Sequence, residues 1–313
     1  FLKLIRLPNL LIIALTQYLL RFCIIKPMLQ INDFELQFSE FNFFLLVLST
    51  AMIAGAGYII NDYFDTKVDR RNDPSNVIVG KTIKRRIAMI AHIVISAAAI
   101  VIGFFIAWQI GFIELGYINV ICTGMLWYYS TTYKHRFLIG NVLIAVLAGL
   151  VPLIVALYEI PLLNKQYNEI LITLNMNFNH IFTWIAGFSF FAFLVTLIRE
   201  IIKDMEDIDG DWTYGSKTLP ITLGTKKTKV ILGVLILITI SLLSYIQVTK
   251  LPDMKTFIYF LLAIQLPFVL LIYKVATARD RKNYHFASLL TKFIMLTGIL
   301  YTVLVNHIVM HDL

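Results

Sequence analysis

Two runs of the chain gather carboxylates at a spacing suited to holding a cation. The first is Asn61-Asp62-Tyr63-Phe64-Asp65-Thr66-Lys67-Val68-Asp69, and the second is Asp204-Met205-Glu206-Asp207-Ile208-Asp209-Gly210-Asp211. Asp62, Asp65 and Asp69 stand at i, i+3 and i+7, and Asp204, Asp207 and Asp211 repeat that spacing. At about 100° per residue, each trio falls within an arc of about 60° on one helical face. Like charges so close repel one another and are costly at the edge of an apolar phase, so a compensating cation is expected. Oxygen ligands without His or Cys point to Mg²⁺, which keeps several waters and binds through one or two carboxylates plus the phosphates of a substrate. Two such stripes would hold two ions around one diphosphate, with Arg70, Arg71, Lys134, Arg136 and Lys203 neutralising the remaining oxygens. The bland alternative is a solvated helix end whose Asp and Lys form weak surface pairs. It accounts for one stripe, but poorly for the same spacing twice.

The elements that must position these residues are membrane helices. The 313 residues are 59% hydrophobic and only 15% charged, with a mean hydropathy of +0.79, whereas charged residues take roughly a quarter of an ordinary soluble chain. Apolar runs long enough to cross a hydrocarbon core of about 30 Å recur near 7–29, 41–60, 87–107, 116–133, 137–158, 181–198, 230–249, 256–273 and 286–306. The fold expected is therefore all-α and polytopic, with nine transmembrane helices and a single integral-membrane domain over 1–313. The connections are too short to bury a core of their own. The first run is too long and too polar in its middle to be a cleavable signal. A chain opening on Phe1 is expected to start inside a longer natural sequence. Cys23 and Cys122 lie in apolar stretches with no partner at metal-ligand spacing.

Charge sets the expected orientation. Of the 27 Lys and Arg, 21 lie at the N-terminal end or in the connections after the second, fourth, sixth and eighth spans, and only Lys26, Lys165, Lys250 and Lys255 lie in the opposite connections. The positive-inside rule then places the N-terminus and those connections on the cytoplasmic side of the cytoplasmic membrane, and the C-terminus on the other side. The net charge of +8 is thus topology and attraction to anionic lipid or phosphate, not nucleic-acid binding. Both acidic stripes fall on this same basic face. Arg21 and Lys292 lie within spans, where an intramembrane charge either faces the bundle interior or snorkels; snorkelling is the expectation.

The Asn-Asp-x-x-Asp-x-x-x-Asp run at 61–69, the later Asp207-x-x-x-Asp211 with Gly210, and the nine spans together resemble the UbiA-type intramembrane prenyltransferases over essentially the whole chain. Arg199-Glu200-Ile201-Ile202-Lys203-Asp204 leading into the second cluster, followed by Lys217-Thr218-Leu219-Pro220-Ile221, looks most like the branch that makes digeranylgeranylglyceryl phosphate, and Arg6-Leu7-Pro8-Asn9 is compatible with it. The resemblance implies helices around a central cavity, with a metal-diphosphate site at its cytoplasmic mouth and a prenyl tail running among apolar side chains. It makes Asn61, Asp65, Asp69, Asp207 and Asp211 the direct or water-mediated Mg²⁺ ligands and Lys134, in Tyr133-Lys134-His135-Arg136, a diphosphate contact. One departure stands out. Ser75-Asn76-Val77-Ile78-Val79-Gly80-Lys81 replaces the Arg-Pro-x-Pro-Ser-Gly type of run that follows Asn-Asp-Pro in many relatives, so either Lys81 or Arg71 takes over the missing Arg contact or the loop has another role.

An allylic diphosphate is a poor electrophile until its leaving group is neutralised, and the resulting cation must be kept from water beside an acceptor. A hydroxyl acceptor gives an ether lipid; an aromatic acceptor such as 4-hydroxybenzoate or a naphthoate gives a quinone precursor. Asp62 or Asp204 is the candidate to take the released proton, the alternative being that either supports the metal ligands from behind. A phosphorylated acceptor needs cations beyond those used by the diphosphate, and Arg6, Lys81 and Arg199, with Asn9, are assigned to it. The rival of another class is a secondary transporter using its carboxylates as cation sites, but transporter acids sit at the midplane of broken helices. Gly80-Lys81-Thr82 is set aside as a P-loop because Ser75 stands where the first Gly is required. Gly55-Ala56-Gly57 reads as a close helix-packing surface.

Overall fold

The computed structural model describes residues 1–72 and 77–311, without the side chains of Lys67, Asp69, Arg71, Asn72 and His311. The described residues form helices and connections, with one isolated bridge between Val79 and Ile83. The α-helices are α1 (Leu7–Leu20), α2 (Lys26–Gln30), α3 (Glu40–Asn72), α4 (Arg85–Ile110), α5 (Tyr117–Tyr128), α6 (Ile139–Gln166), α7 (Asn168–Leu174), α8 (Asn179–Glu206), α9 (Ile208–Thr213), α10 (Leu219–Leu223), α11 (Thr225–Lys250), α12 (Met254–Tyr259), α13 (Leu266–Thr277) and α14 (Arg281–His311). Eight helical stretches among the described residues are long and apolar enough to cross a bilayer, and the protein is an all-α integral membrane protein. Apolar side chains such as Val101, Trp108 and Leu237 stand exposed along them, as helices solvated by lipid require. The fourth run, 116–133, is helical too, but in three pieces. A 3₁₀ turn at Ile113–Gly116 leads into α5, which passes into a π turn at Tyr129–Tyr133.

Two other spans are composite for a readable reason. α1 joins α2 through the π turn Arg21–Ile25, where Lys26 N–H bonds to Arg21 O, and α12 joins α13 through the π turn Phe260–Gln265, where Leu266 N–H bonds to Leu261 O. Each π turn is followed by a proline, Pro27 or Pro267, near the start of the next helix. Proline has no N–H to donate and its ring crowds the carbonyl four residues back, so the ladder shifts to five-residue bonds in the turn before it.

The chain divides into two compact units. In the unit made of Phe1–Thr132 and Leu150–Gly187, α3 packs against α1, α4 and α5. A Cβ on Gly57 would come within 2.9 Å of Leu126, so this glycine lets α5 approach α3 closely, which is the packing role expected of it. Leu4, Ile59, Val79 and Ala88 form an apolar cluster beneath the acidic end of α3. At 33 residues, α3 is about 50 Å long, well beyond the hydrocarbon thickness, and its final turns carry the first acidic run. Arg21 corrects the snorkelling expectation. It is 1% exposed, pairs with the fully buried Glu159 at 3.4 Å, donates to Phe38 O, and lies 4.4 Å from the Phe43 ring centroid. Glu159 in turn accepts from the backbone N–H groups of Gln37 and Phe38 at 2.6 and 3.0 Å.

In the unit made of Tyr133–Gly149 and Phe188–Leu313, α13 packs against α11 and α14. Lys229 caps α13, donating to Ala276 O and Ala278 O at 3.0 and 2.5 Å, so a cation meets the negative end of a helix dipole.

Candidate functional site

The first acidic run lies on one uninterrupted helix, so Asn61, Asp62, Asp65 and Asp69 keep the register that the spacing predicts. Asp65 is 2% exposed, although it stands only two turns from the helix end. Asp62 Oδ1 accepts from Arg6 Nη2 at 2.9 Å. Arg6 can reach because its backbone turns left-handed (φ 53°) immediately before α1, whose first turn carries Pro8. Its guanidinium also lies over the Tyr58 ring at 4.8 Å, and Asn9 Nδ2 donates to Tyr58 Oη at 3.2 Å. The structure therefore brings two residues assigned to the acceptor, Arg6 and Asn9, onto the helix that carries the assigned base, Asp62. Arg85, given no role from sequence, lies over the Tyr63 ring at 4.5 Å.

After α3 the assignments separate. Arg70 is exposed, with its Nη2 3.5 Å from where a Cβ on Gly80 would stand. Lys81 is exposed on a tight turn in which Gly80 takes φ 81° and its N–H bonds to Ile83 O at 2.7 Å. That conformation gives Gly80-Lys81-Thr82 a turn role and explains the glycine. The side chains of Asp69 and Arg71 lie outside the described residues, as do Ser75 and Asn76 of the departing run.

The second acidic run differs from expectation in one respect. It does not occupy a single helix: α8 stops at Glu206, Asp207 sits at φ −101°, ψ 10°, and α9 begins at Ile208. Backbone bonds from Asp207 N to Lys203 O and from Asp211 N to Asp207 O, at 3.0 and 3.1 Å, carry the winding across the break. Asp211 is 6% exposed, and Asp207 is partly exposed with Arg281 Nη2 3.8 Å away. Glu206 pairs with His285 at 2.9 Å. Asp204 accepts at Oδ2 from Asn141 Nδ2 at 2.9 Å. Arg199 is bonded to Glu200 at 2.6 Å, one position along α8, and Lys203 is partly buried on the last turn of that helix.

Lys134 and Arg136 lie in the turn between the π turn and α6, both within the unit that contains the second acidic run. That turn is tied down. His135 Nδ1 shares a hydrogen bond of 2.8 Å with Ser216 Oγ, Lys217 N–H donates to His135 O at 2.8 Å, and Ser216 N–H donates to Asp211 O at 3.0 Å. Gly140 permits the turn to close, because a Cβ there would stand 2.8 Å from Tyr133 O. Asn141, Arg281, His285 and Ser216 were not found by reading the sequence. Only Asn141 carries a signal there, as a lone amide near the start of an apolar run.

Among the described residues no three carboxylate, imidazole or thiol groups converge as a closed metal cage. The donor chemistry nevertheless fits a hard divalent ion that needs only one or two carboxylates and completes its shell with water and phosphate oxygens. Asp65 and Asp211 are carboxylates buried near helix ends, where desolvation of the charged form is costly.

Comparison with known proteins follows the same lines. The profile of the UbiA prenyltransferase family matches residues 34–302. A digeranylgeranylglyceryl phosphate synthase of Methanosphaera stadtmanae is 31% identical over 252 residues, covering 80% of this chain and 82% of that one. The synthase of Methanothermobacter thermautotrophicus is 33% identical over 202 residues, 64% of this chain and 63% of that one. Among solved structures, digeranylgeranylglyceryl phosphate synthase in membranes aligns with a TM-score of 0.61 at 23% identity, covering 96% of this chain and 97% of that chain. A UbiA homologue of Archaeoglobus fulgidus bound to DMAPP and Mg²⁺ aligns with a TM-score of 0.55 at 17% identity, covering 96% and 98%. The two solved structures share the fold with this protein.

Proposed function

Because this chain belongs to the UbiA prenyltransferase family, we propose that it transfers a geranylgeranyl group from its allylic diphosphate to the free hydroxyl of geranylgeranylglyceryl phosphate. The product is the diether of an isoprenoid lipid precursor. The observation that carries this reading is the 31% identity to a digeranylgeranylglyceryl phosphate synthase across 80% of the chain. Family membership also removes the transporter reading.

The chemistry follows from the residues in place. Mg²⁺, when bound, supplies the positive charge that makes diphosphate a leaving group. Asn61, Asp65 and Asp69 on α3, with Asp207 and Asp211 around the start of α9, would hold it, as two ions. Lys134, Arg136, Lys203, Arg70 and Arg71 bind the remaining diphosphate oxygens, as cations suited to phosphate do. The acceptor hydroxyl oxygen forms the new bond to C1 of the prenyl group as the old C–O bond breaks to the diphosphate, and the hydroxyl proton passes to a carboxylate. Asp62 suits that role because Arg6, which anchors the acceptor phosphate together with Asn9, Lys81 and Arg199, is bonded to it at 2.9 Å. A substrate phosphate that draws Arg6 away leaves Asp62 able to accept a proton. Asp204, held by Asn141, is the second candidate base. Lipid-facing helices keep water from the reacting carbon. The N-terminus and both acidic runs face the cytoplasm, on the side where basic connections concentrate.

A donor and acceptor panel with product mass analysis tests the assignment. Geranylgeranyl diphosphate and geranylgeranylglyceryl phosphate with Mg²⁺ should give the diether phosphate and pyrophosphate. Prenylated 4-hydroxybenzoate or naphthoate, with no diether, would move the protein to the quinone branch and leave the diphosphate site standing.

A further inference from the structure

We propose that His135 and Ser216 are positioning residues that lock the cationic turn at 133–136 to the acidic segment at 207–217, so that Lys134 meets the diphosphate at a fixed distance from Asp211. The proposal deepens the reading above and rests on Lys134 being a diphosphate contact.

Three observations converge on it. Two bonds cross between the segments at the same point: His135 Nδ1 with Ser216 Oγ at 2.8 Å, and Lys217 N–H to His135 O at 2.8 Å. One of them fixes the imidazole and the other the backbone, so residue 135 is held at both ends. Ser216 is itself only 3% exposed, and its N–H bonds to Asp211 O at 3.0 Å, which closes the acidic segment into a loop ending on the latch. On the other side of Lys134, Gly140 sits so close to the turn that a Cβ would stand 2.8 Å from Tyr133 O and 3.0 Å from Lys134 Cα. The next residue, Asn141, is buried and bonds to Asp204. The Lys134 turn is thus gripped at both flanks by groups belonging to, or bonded to, the second acidic run.

A lysine on a flexible four-carbon stem binds phosphate as a point charge and carries no geometry of its own. Its contribution to binding depends on how well its backbone is held. The latch supplies what the side chain lacks. It also accounts for the Ser216-Lys217-Thr218 stretch, in which Lys217 contributes its backbone N–H to the turn and Thr218 immediately precedes α10, whose first turn carries Pro220.

The test measures the affinity of the full chain in detergent for inorganic pyrophosphate with Mg²⁺, by calorimetry, alongside thermal unfolding. His135→Ala and Ser216→Ala should each weaken pyrophosphate binding roughly three- to tenfold, the worth of one net hydrogen bond. The double variant should be no weaker than the worse single one, because both remove the same bond. His135→Asn should restore binding to within about twofold, since its amide occupies the position of the imidazole Cγ–Nδ1 edge. Glu159→Gln, in the other unit, should lower thermal stability and leave pyrophosphate affinity unchanged, which separates positioning from general loosening. Parental affinity in both single alanine variants overturns the proposal. So does a double variant as weak as the product of the two, an Asn variant as weak as Ala, or a parent protein that binds no pyrophosphate. A parent that binds pyrophosphate with this pattern of variants but makes no diether refutes the acceptor assignment alone.

Discussion

Replacing Arg21 with Met is expected to damage the protein severely, although residue 21 lies far in sequence from either acidic run. Arg21 is 1% exposed and Glu159 fully buried, and they approach to 3.4 Å while the Phe38 carbonyl and Glu40 take the remaining guanidinium bonds. Arg21→Met leaves the Glu159 carboxylate buried with two backbone N–H partners and no cation, a change that costs about 3–5 kcal/mol. Part of this is offset because Arg21 Nε, buried without a hydrogen-bond partner among the described residues, disappears with the side chain. Adding Glu159→Gln removes the stranded charge, and the amide oxygen still accepts from the N–H groups of Gln37 and Phe38. The double variant keeps the loss at the Phe38 carbonyl, worth about 1–3 kcal/mol, while the exposed Glu40 returns to water. It should therefore be more stable than Arg21→Met alone, with a coupling of about 2 kcal/mol between the two sites. Unfolding of purified variants in mixed detergent micelles, followed by circular dichroism, measures this. An Arg21→Met protein within about 0.5 kcal/mol of the parent, or a double variant as damaged as the sum of the singles, would show that the pair is not closed inside the protein.

Asp65→Ala and Asp207→Ala should each abolish turnover while leaving the detergent-solubilised fold intact, with activity assayed at moderate Mg²⁺; near-parental activity in either counts against a shared diphosphate site. Chelation with EDTA should stop the parent enzyme, and added Mg²⁺ should restore it, whereas activity surviving chelation removes the metal from the mechanism. Arg6→Ala should raise KM for the phosphorylated acceptor at least tenfold, about 1.4 kcal/mol, and leave KM for the prenyl diphosphate within twofold; equal rises in both would place Arg6 elsewhere. Cysteines introduced singly at Asn76 and Asn168 in a chain lacking Cys23 and Cys122 should react with an impermeant reagent from opposite faces of the membrane, and labelling from the same face would sink the topology.

The parts of the molecule that local chemistry decides could be read from the sequence. Apolar run length located the spans, and a three-and-four spacing of carboxylates placed Asp62, Asp65 and Asp69 on one helical face because α3 continues unbroken through them. The same rule was only partly sufficient at the second run. There α8 ends at Glu206 and α9 begins at Ile208, a choice that helix periodicity does not report. The split of the fourth run into 3₁₀, α and π pieces was likewise hidden, since hydropathy measures how apolar a segment is and not how its ladder is bonded. Arg21 was misread for a different reason. Its partner Glu159 is 138 residues away, and no local pattern announces a charge that is neutralised from another helix. His135 and Ser216, 81 residues apart, escaped in the same way. A lone histidine in a basic loop has no spacing to interpret until the fold supplies its neighbour.

Transfer of the prenyl group to the acceptor hydroxyl can be followed by placing ¹⁸O at the bridging oxygen of geranylgeranyl diphosphate, running the reaction with geranylgeranylglyceryl phosphate and Mg²⁺, and weighing both products. If the acceptor hydroxyl attacks the allylic carbon and the diphosphate departs with the C1–O bond, the label leaves entirely in pyrophosphate and the diether carries none. Label in the diether, or pyrophosphate released with no diether formed, would be incompatible with that transfer.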